Sequence, residues 1–304
     1  MSDQTRFVTG FGPTNVDLLY SGMPRVPQEG EEIYARDFTV QIGGGYPATL
    51  VNVGRLGIPA RIQTFLGKDM FSRFAKAQYE EDGVIPLNLY TGDRMPVNVT
   101  SAVITPRDRA FTSYTDPVEV TDVHRQQVLD ASRGAAIALV YRPFLPIYPE
   151  LRRGGTLLVY DGGWWEDMRL DNMMDILQAV DFYIPNELEA MRVTQASSPG
   201  AAARVLAEYF EHVVVKLGGE GCLLYSGGRE TVVPPLPGIK AVDTTGAGDA
   251  FLAGFVYGLI KGAPLPQAVL YGNITGAACV EKVGALTGFV TEEELLEKAR
   301  KHAL

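Results

Sequence analysis

The stretch Val242-Asp243-Thr244-Thr245-Gly246-Ala247-Gly248-Asp249-Ala250-Phe251 decides the reading of this chain. A strand-like residue leads into a glycine turn, and Leu252, Phe255 and Leu259 follow at helical spacing, so a helix is predicted to open at the turn. The first turn of a helix leaves backbone N–H groups unpaired, and the dipole behind them favours negative charge. Small residues at Gly246, Ala247 and Gly248 let an anion approach that backbone closely, which makes the turn a candidate anion hole for phosphate. Asp249 lies in the same first turn. Alone, such a carboxylate is usually a helix-capping acid. Beside an anion hole it can take the proton of a hydroxyl that attacks phosphorus.

Upstream of this turn, strand-like runs alternate with helical patterns. Phe7-Thr9, Arg61-Phe65, Ala136-Val140, Thr156-Tyr160, Asp181-Ile184 and His212-Leu217 read as strands, and Met70-Asp82, Asp122-Ala131, Met168-Val180 and Ala201-Phe210 as helices. The alternation predicts βαβ units around a mainly parallel sheet. Two stretches break it: Ile33-Gln41, and Val97-Thr105 followed by Ala110-Thr115 across the turn 106–109. Short strands without intervening helices predict a small antiparallel sheet covering one edge of the core as a lid. Downstream, Ala247-Ile260, Leu265-Glu281 and Glu292-His302 read as helices, the last with a Thr291/Glu294 capping box.

Composition narrows the function classes. The chain has 304 residues, 27 Lys+Arg against 36 Asp+Glu for a net charge of −9, 46% hydrophobic and 21% charged residues, which is an ordinary globular balance. At roughly 100–200 residues per domain this is one large α/β domain or two smaller ones. The longest apolar runs fall far short of the roughly 20 residues that cross a bilayer, so no membrane span is expected. The segment Met1-Arg6 lacks a basic stretch before an apolar one, and a cytoplasmic protein is the expectation. An acidic balance without Lys/Arg runs argues against nucleic acid as a partner. Cys222 and Cys279 stand in apolar surroundings as reduced core thiols, and three scattered histidines make structural zinc a poor reading.

The run Asp243–Phe251 closely resembles the C-terminal signature of the ribokinase-like (PfkB-type) carbohydrate and nucleoside kinases, and the order of other pieces agrees from Gly12 to Leu286. The resemblance implies a ribokinase-like three-layer α/β/α sandwich with a mainly parallel sheet plus a small antiparallel β lid. It implies one kinase domain over 1–304, with lid segments near 14–43 and 95–117. The activity implied is ATP-dependent phosphorylation of a primary hydroxyl on a sugar or sugar-like molecule, with Asp249 as base and Gly246, Ala247 and Gly248 as anion hole.

Asn15 and Asp17, in Gly12-Pro13-Thr14-Asn15-Val16-Asp17, resemble the element that sets a carboxylate against substrate hydroxyls, and carboxylates accept paired hydrogen bonds from vicinal hydroxyls. Gly43, Gly44 and Gly45 resemble the N-terminal signature, where sugar oxygens meet main-chain amides. Asn186-Glu187-Leu188-Glu189 is similar to the family's Asn-x-x-Glu element, which implies Asn186 and Glu189 near Mg²⁺ and the nucleotide phosphates, largely through water. Read alone, an acid-rich helix start complements the helix dipole. Lys216, Gly218, Gly219 and Gly221 resemble the turn that receives ATP, and Asn273 the residue beside adenine. No GxxxxGK[ST] loop occurs. Asp243 matches a position that binds a monovalent cation such as K⁺ in some relatives, but Gly288 stands where ribokinase has a Ser ligand. The lid would also join two subunits into a homodimer, as in relatives.

Departures from the family pattern bear on the substrate. Ala48 stands where sugar-specific members carry an Asn, which would enlarge the pocket, and Tyr141-Arg142-Pro143 replaces an acidic residue before a proline. Tyr141 or Arg142 would suit a bulkier or acidic acceptor, although a surface salt bridge is the plainer reading of Arg142. Trp164-Trp165 reads as packing or a rim before it reads as a sugar-stacking platform. A nucleoside kinase on the same scaffold, a silent sugar- or nucleotide-binding regulator and a dinucleotide-dependent dehydrogenase are the alternatives. The last lacks an N-terminal GxGxxG after a strand.

Overall fold

A computed structural model describes residues 6–302; the outermost residues of the expected 1–304 domain and most of the Met1-Arg6 segment lie outside the described residues. In chain order the first elements are β1 (Val8–Phe11), β2 (Asn15–Ser21), β3 (Asp37–Ile42), α1 (Tyr46–Arg55), β4 (Ala60–Thr64), α2 (Met70–Glu81) and β5 (Val84–Asn88). There follow β6 (Asn98–Ile104), β7 (Arg109–Tyr114), α3 (Asp122–Ser132), β8 (Ile137–Leu139), α4 (Tyr148–Arg153), β9 (Leu157–Tyr160), α5 (Leu170–Leu177) and β10 (Phe182–Tyr183). The chain continues through α6 (Glu187–Thr194), α7 (Pro199–Leu206), β11 (His212–Lys216), β12 (Cys222–Ser226), β13 (Arg229–Val233), α8 (Ala247–Ile260), α9 (Leu265–Val280) and α10 (Glu292–Lys301).

Six strands form a parallel sheet in the order β10-β9-β8-β1-β4-β5. A lone parallel bridge from Asn186 to Lys216 carries it on to β11, which leads the antiparallel trio β11-β12-β13. Side chains alternate along each strand, so a sheet buried on both faces feeds two cores. Ile137, Leu139 and Val214 enter one core with α1, α2, α8, α9 and α10, while Ala138, Val140, Val213 and Val215 enter the other with α3 to α7. Each core lies between one face of the sheet and its helices, which makes a three-layer α/β/α sandwich. Both cysteines are buried and free, and no helix among the described residues is long and apolar enough to cross a membrane.

The lid is the four-stranded sheet β3-β2-β6-β7. Its two outer pairs are antiparallel, as the sequence predicts, but the central pair β2 and β6 runs parallel because both strands leave the main sheet in the same direction. The chain enters the lid directly from β1 through 12–14. There the buried Thr14 hydroxyl bonds the Thr64 hydroxyl at 2.7 Å and the Tyr79 hydroxyl at 2.9 Å, pinning the hinge to β4 and α2. The lid therefore stands over the carboxyl edge of the parallel strands.

Candidate active site

Ligands of open parallel sheets bind beyond the carboxyl ends of the strands. Here β1 delivers Gly12 and Pro13, β8 delivers Tyr141, β9 delivers Asp161, β10 leads to Asn186 and β11 ends on Lys216, and all six line one cleft of about 1000 Å³. That volume stands at the top of the roughly 300–1,000 Å³ range of small-ligand sites and gives room for two ligands side by side.

The N-terminus of α8 closes the floor. Gly246 takes the left-handed conformation, φ +77°, and a Cβ there would run into Ala285, so only glycine makes this turn. The Ala247 amide makes a long 3.3 Å bond to the Thr244 carbonyl, while the amides of Gly246, Gly248 and Asp249 have no backbone acceptor among the described residues. Three open donors and the dipole of the 14-residue α8 thus face the cleft.

Asp249 lies at the third position of α8, where it accepts a hydrogen bond from the Gly45 amide at 2.9 Å through Oδ2. Gly45 is itself the N-cap of α1, with φ +86°, so two helix N-termini converge on one carboxylate. Part of Asp249 still opens to the cleft, while protein crowds its other sides. Burial pushes its pKa up to about 7; the Gly45 amide opposes this, the Asp161 charge adds to it and Lys216 opposes it. A carboxylate poised there can exchange a proton near neutral pH.

Asp161 and Lys216 form a buried ion pair, Nζ to Oδ2 2.5 Å, with each side chain only 12% exposed. A Cβ added at Gly248 would sit 3.3 Å from the Lys216 ammonium, so the missing side chain lets this cation stand against the N-terminus of α8. Burial pulls the Lys216 pKa down, but Asp161, with Glu189 and Asp249 behind it, outweighs burial and leaves it raised. Lys216 is therefore a cation at neutral pH. The buried Glu189 is raised, first by burial and then by Asp161.

Most of the expected site residues meet in this cleft: Gly44, Gly45, Tyr141, Asn186, Glu189, Lys216, Gly218, Gly219, Gly221, Gly246, Ala247, Gly248, Asp249 and Asn273. Asn186 and Glu189 also form a reciprocal capping box at 2.9 Å each way, and both line the cleft. The Asn273 amide ties α9 to the carbonyls of Val233 and Pro234 at 3.2 and 3.0 Å. Asn15, Asp17 and Gly43 are outside the cleft lining, on the lid's underside. Asp17, held by Asn15 at 2.5 Å, is raised to about 6 by burial, which the Asn15 hydrogen bond opposes. A Cβ at Gly43 would strike the Asp17 carboxylate and one at Gly44 the Asp249 carboxylate, so this glycine pair passes between the two acids.

One expectation changes. Ala48 is fully buried in α1 and faces the core, so it does not widen the pocket; Tyr46, two residues before it, lines the cleft with its hydroxyl between the Val140 carbonyl and the Asp161 amide, 2.8 and 3.1 Å away. Arg142 lines the cleft but is paired with Asp175 at 2.8 Å, the plain salt-bridge reading. Trp165 lines the cleft rim while Trp164 is 60% exposed away from it.

Asp243 does not present a carboxylate to a free cation. Its Oδ1 accepts from the Thr245 amide and hydroxyl at 2.9 and 2.8 Å and pairs with Arg109 at 2.5 Å, and its Oδ2 accepts from the Gly284 amide at 2.9 Å. Burial raises its pKa, but these donors outweigh burial and leave it lowered. A Cβ at Gly288 would run into the Ala278 carbonyl, so the position has no space for the serine of ribokinase.

Asp161 and Arg109 are the site residues that sequence reasoning missed. A carboxylate directly after a predicted strand of a parallel sheet was the available signal for Asp161. For Arg109 there was none, because its partners lie 134 and 136 residues away.

Comparison with known proteins agrees with this geometry. Residues 151–292 match the model of the pfkB family carbohydrate kinases. An uncharacterized sugar kinase of Archaeoglobus fulgidus is 43% identical over 119 residues, 39% of this chain and 47% of that protein, so the match spans about half of that relative's length. Arabidopsis thaliana ribokinase complexed with ribose and ATP has a TM-score of 0.77 at 21% identity, covering 97% of this chain and 98% of that one. A ribokinase-like chain of E. coli in complex with ATP and Mg²⁺ has a TM-score of 0.78 at 23% identity, covering 98% and 100%. The class is thus a ribokinase-like α/β/α sandwich with a β lid over its cleft. Within that class, the match to the pfkB family carbohydrate kinases lies in the C-terminal part of the chain, residues 151–292.

Proposed function

We propose that the chain transfers the γ-phosphoryl group of Mg-ATP to a primary hydroxyl of a sugar or sugar-like acceptor. The observation that carries this reading is the convergence on one cleft of a carboxylate with pKa about 7, three open helix amides and the Lys216 ammonium. Asp249 takes the proton of the attacking hydroxyl, and the Gly45 amide fixes the direction of its carboxylate. The Gly246–Asp249 amides hold the charge that develops on the transferring group, and Lys216 holds the phosphate oxygens beyond it. Phosphoryl transfer needs mainly positioning and electrostatics, which this cleft supplies without a covalent intermediate.

Among the described residues no cluster of three metal-ligating side chains occurs. Asp161 and Glu189 nevertheless give two neighbouring carboxylates, which fits Mg²⁺, an ion that takes one or two carboxylates and fills its shell with water and substrate phosphates. Bound there, Mg²⁺ would neutralise phosphate charge. Asn186 orients Glu189 through the capping box, and Gly218, Gly219, Gly221 and Asn273 line the nucleotide half of the cleft. Asn15, Asp17 and Gly43–Gly45 bind the acceptor's hydroxyls as the lid comes down, and Tyr141 packs on its apolar face.

The chain acts in the cytoplasm on a small molecule rather than a nucleic acid or a membrane, as its acidic balance favours. It pairs as a homodimer through the lid, whose strands expose Tyr20, Phe38, Phe111 and Tyr114. The aromatic wall of Tyr46, Tyr141, Tyr160 and Trp165 supports a second reading, a nucleoside acceptor. The test is ADP release from Mg-ATP across ribose, fructose, tagatose, 2-keto-3-deoxygluconate, aminosugars and nucleosides. Turnover on one of these names the acceptor class. A well-folded chain that binds ATP and turns over none of them would favour a silent binding protein.

A further inference from the structure

Among the described residues a single ion pair joins the four lid strands to the rest of the molecule, and it is Arg109 to Asp243. Arg109 opens β7, held by the turn in which its amide donates to the Asp108 carboxylate at 2.8 Å. By strand register it shares a face of the lid with Ser113, which pairs with Thr100, which pairs with Asp17. It therefore points the way the acceptor-binding carboxylate points, toward the floor. Its Nη1 donates to both the Asp243 carboxylate and the Thr245 hydroxyl. An arginine nitrogen with two N–H bonds in one plane suits that double contact, which the tetrahedral ammonium of lysine reproduces poorly.

The partners are the first residues of the loop that becomes the anion hole. Asp243 ties this loop to a second one through the Gly284 amide, and Gly246 packs its bare Cα against Ala285 in that second loop. The orientation of the Gly246, Gly248 and Asp249 amides thus depends on Asp243, and the lid supplies the one cation that balances it. The Asp243 side chain is 7% exposed, so loss of that cation leaves a nearly buried carboxylate unbalanced.

We propose that Arg109 is a positioning residue for phosphoryl transfer: carried on the lid, it fastens the loop 243–246 and makes the geometry of the anion hole depend on where the lid sits. The inference rests on the kinase reading above for its consequence in catalysis, and on the lid-to-loop contact alone for its structural part. Arg109 touches neither acceptor nor phosphate; it acts through Asp243 and Thr245. A reaction that needs the lid closed to exclude water gains from a hole that is correctly formed only when the lid is down.

Arg109→Ala and Arg109→Lys, compared with wild type in steady-state kinetics and in amide hydrogen exchange without ligand, test this. The expected result is a fall of about 30-fold in kcat for Arg109→Ala with KM for ATP changed by less than about threefold, because the nucleotide half of the cleft is untouched. Arg109→Lys falls by less, and guanidinium chloride far below denaturing concentration restores part of the Arg109→Ala rate. The Thr245 and Gly284 amides exchange at least about tenfold faster in Arg109→Ala while core strands β1 and β8 keep their protection. A kcat within about twofold of wild type overturns the proposal. So does a fall that guanidinium leaves unchanged while exchange rises throughout the chain, since that is a stability effect. If wild type itself turns over no compound, the kinase reading falls and exchange decides the fastening: faster Thr245 and Gly284 alone support it, and unchanged rates overturn it.

Discussion

Two carboxylates, one in the floor of the cleft and one in the lid, show how differently the two regions are built. Asp249 is held by rigid parts: α8 carries it, the Gly45 N-cap of α1 donates to it, and Lys216 at the end of β11 stands across from it. Asp17 is on β2 of the lid, where its partner is Asn15 two residues before it. Burial raises both, to about 7 and about 6 respectively. The floor acid is surrounded by charges and open amides suited to moving a proton. The lid acid has a neutral neighbour and an exposed sheet around it, suited to gripping a hydroxyl and letting go. On the proposed function, chemistry belongs to the floor and recognition to the lid.

The comparison breaks most directly at Asp249. Asp249→Ala should lower kcat by about 10³-fold, within the range for loss of a general base, with KM for the acceptor changed far less. Steady-state kinetics check this, and near-wild-type turnover would move the base elsewhere. Next in size is Lys216→Ala, for which a loss of about 10²-fold is expected from the missing phosphate donor. Because Lys216 lowers the Asp249 pKa, the same variant should also move the acid limb of the pH–rate profile upward. An unmoved limb would separate the two groups.

Asp17→Asn sharpens the contrast from the lid side. It should raise KM for the acceptor by about tenfold while kcat holds, since a neutral amide keeps the shape but accepts hydroxyl hydrogen bonds less strongly. A loss confined to kcat would put Asp17 in the chemistry instead. The smallest effect is on stability. The folded pKa of Asp249, about 7, is above its ordinary 3.8, so the folded state holds this proton more tightly than the unfolded one. The group's contribution is complete below about pH 4 and is lost as pH rises through about 7. Thermal melts of the ligand-free chain should therefore show Asp249→Asn gaining on wild type from about pH 5 to about pH 8; a constant difference would mean no raised pKa.

Much of this was legible in the sequence, for physical reasons that differ by element. Strands β1, β4 and β8 to β11 are read from apolar runs because both their faces are buried. Helices α8, α9 and α10 begin and end within a few residues of their predicted bounds, and the Thr291/Glu294 capping box forms as read. Helix α1 was missed because Thr49, Val51, Val53 and Gly54 are poor helix formers and eight of its ten residues are buried, which erases any amphipathic period. Strand β5 hides because the four residues after Val84 are exposed or partly so, with Pro86 among them.

The floor's central residues are consecutive in the chain, so Gly246, Gly248 and Asp249 announce themselves. The Asp161–Lys216 pair spans 55 residues and the Arg109–Asp243 pair 134, and no local pattern encodes either. Asn15, Asp17 and Gly43 are a different case. They meet one another, Gly43 against the side chains of Asn15 and Asp17, but outside the cleft lining, because β2 leaves the main sheet immediately after β1.

The measurement that tests the central claim most directly is kcat against pH for wild type and Asp249→Asn on the acceptor that turnover identifies. The wild-type rate should rise about tenfold per pH unit to a bend near pH 7 and then level, while the variant is flat across this range at about 10³-fold below the wild-type plateau. A wild-type rate that is flat from about pH 5.5 to about pH 8, matched by a variant of similar activity, would contradict the assignment of Asp249 as the base.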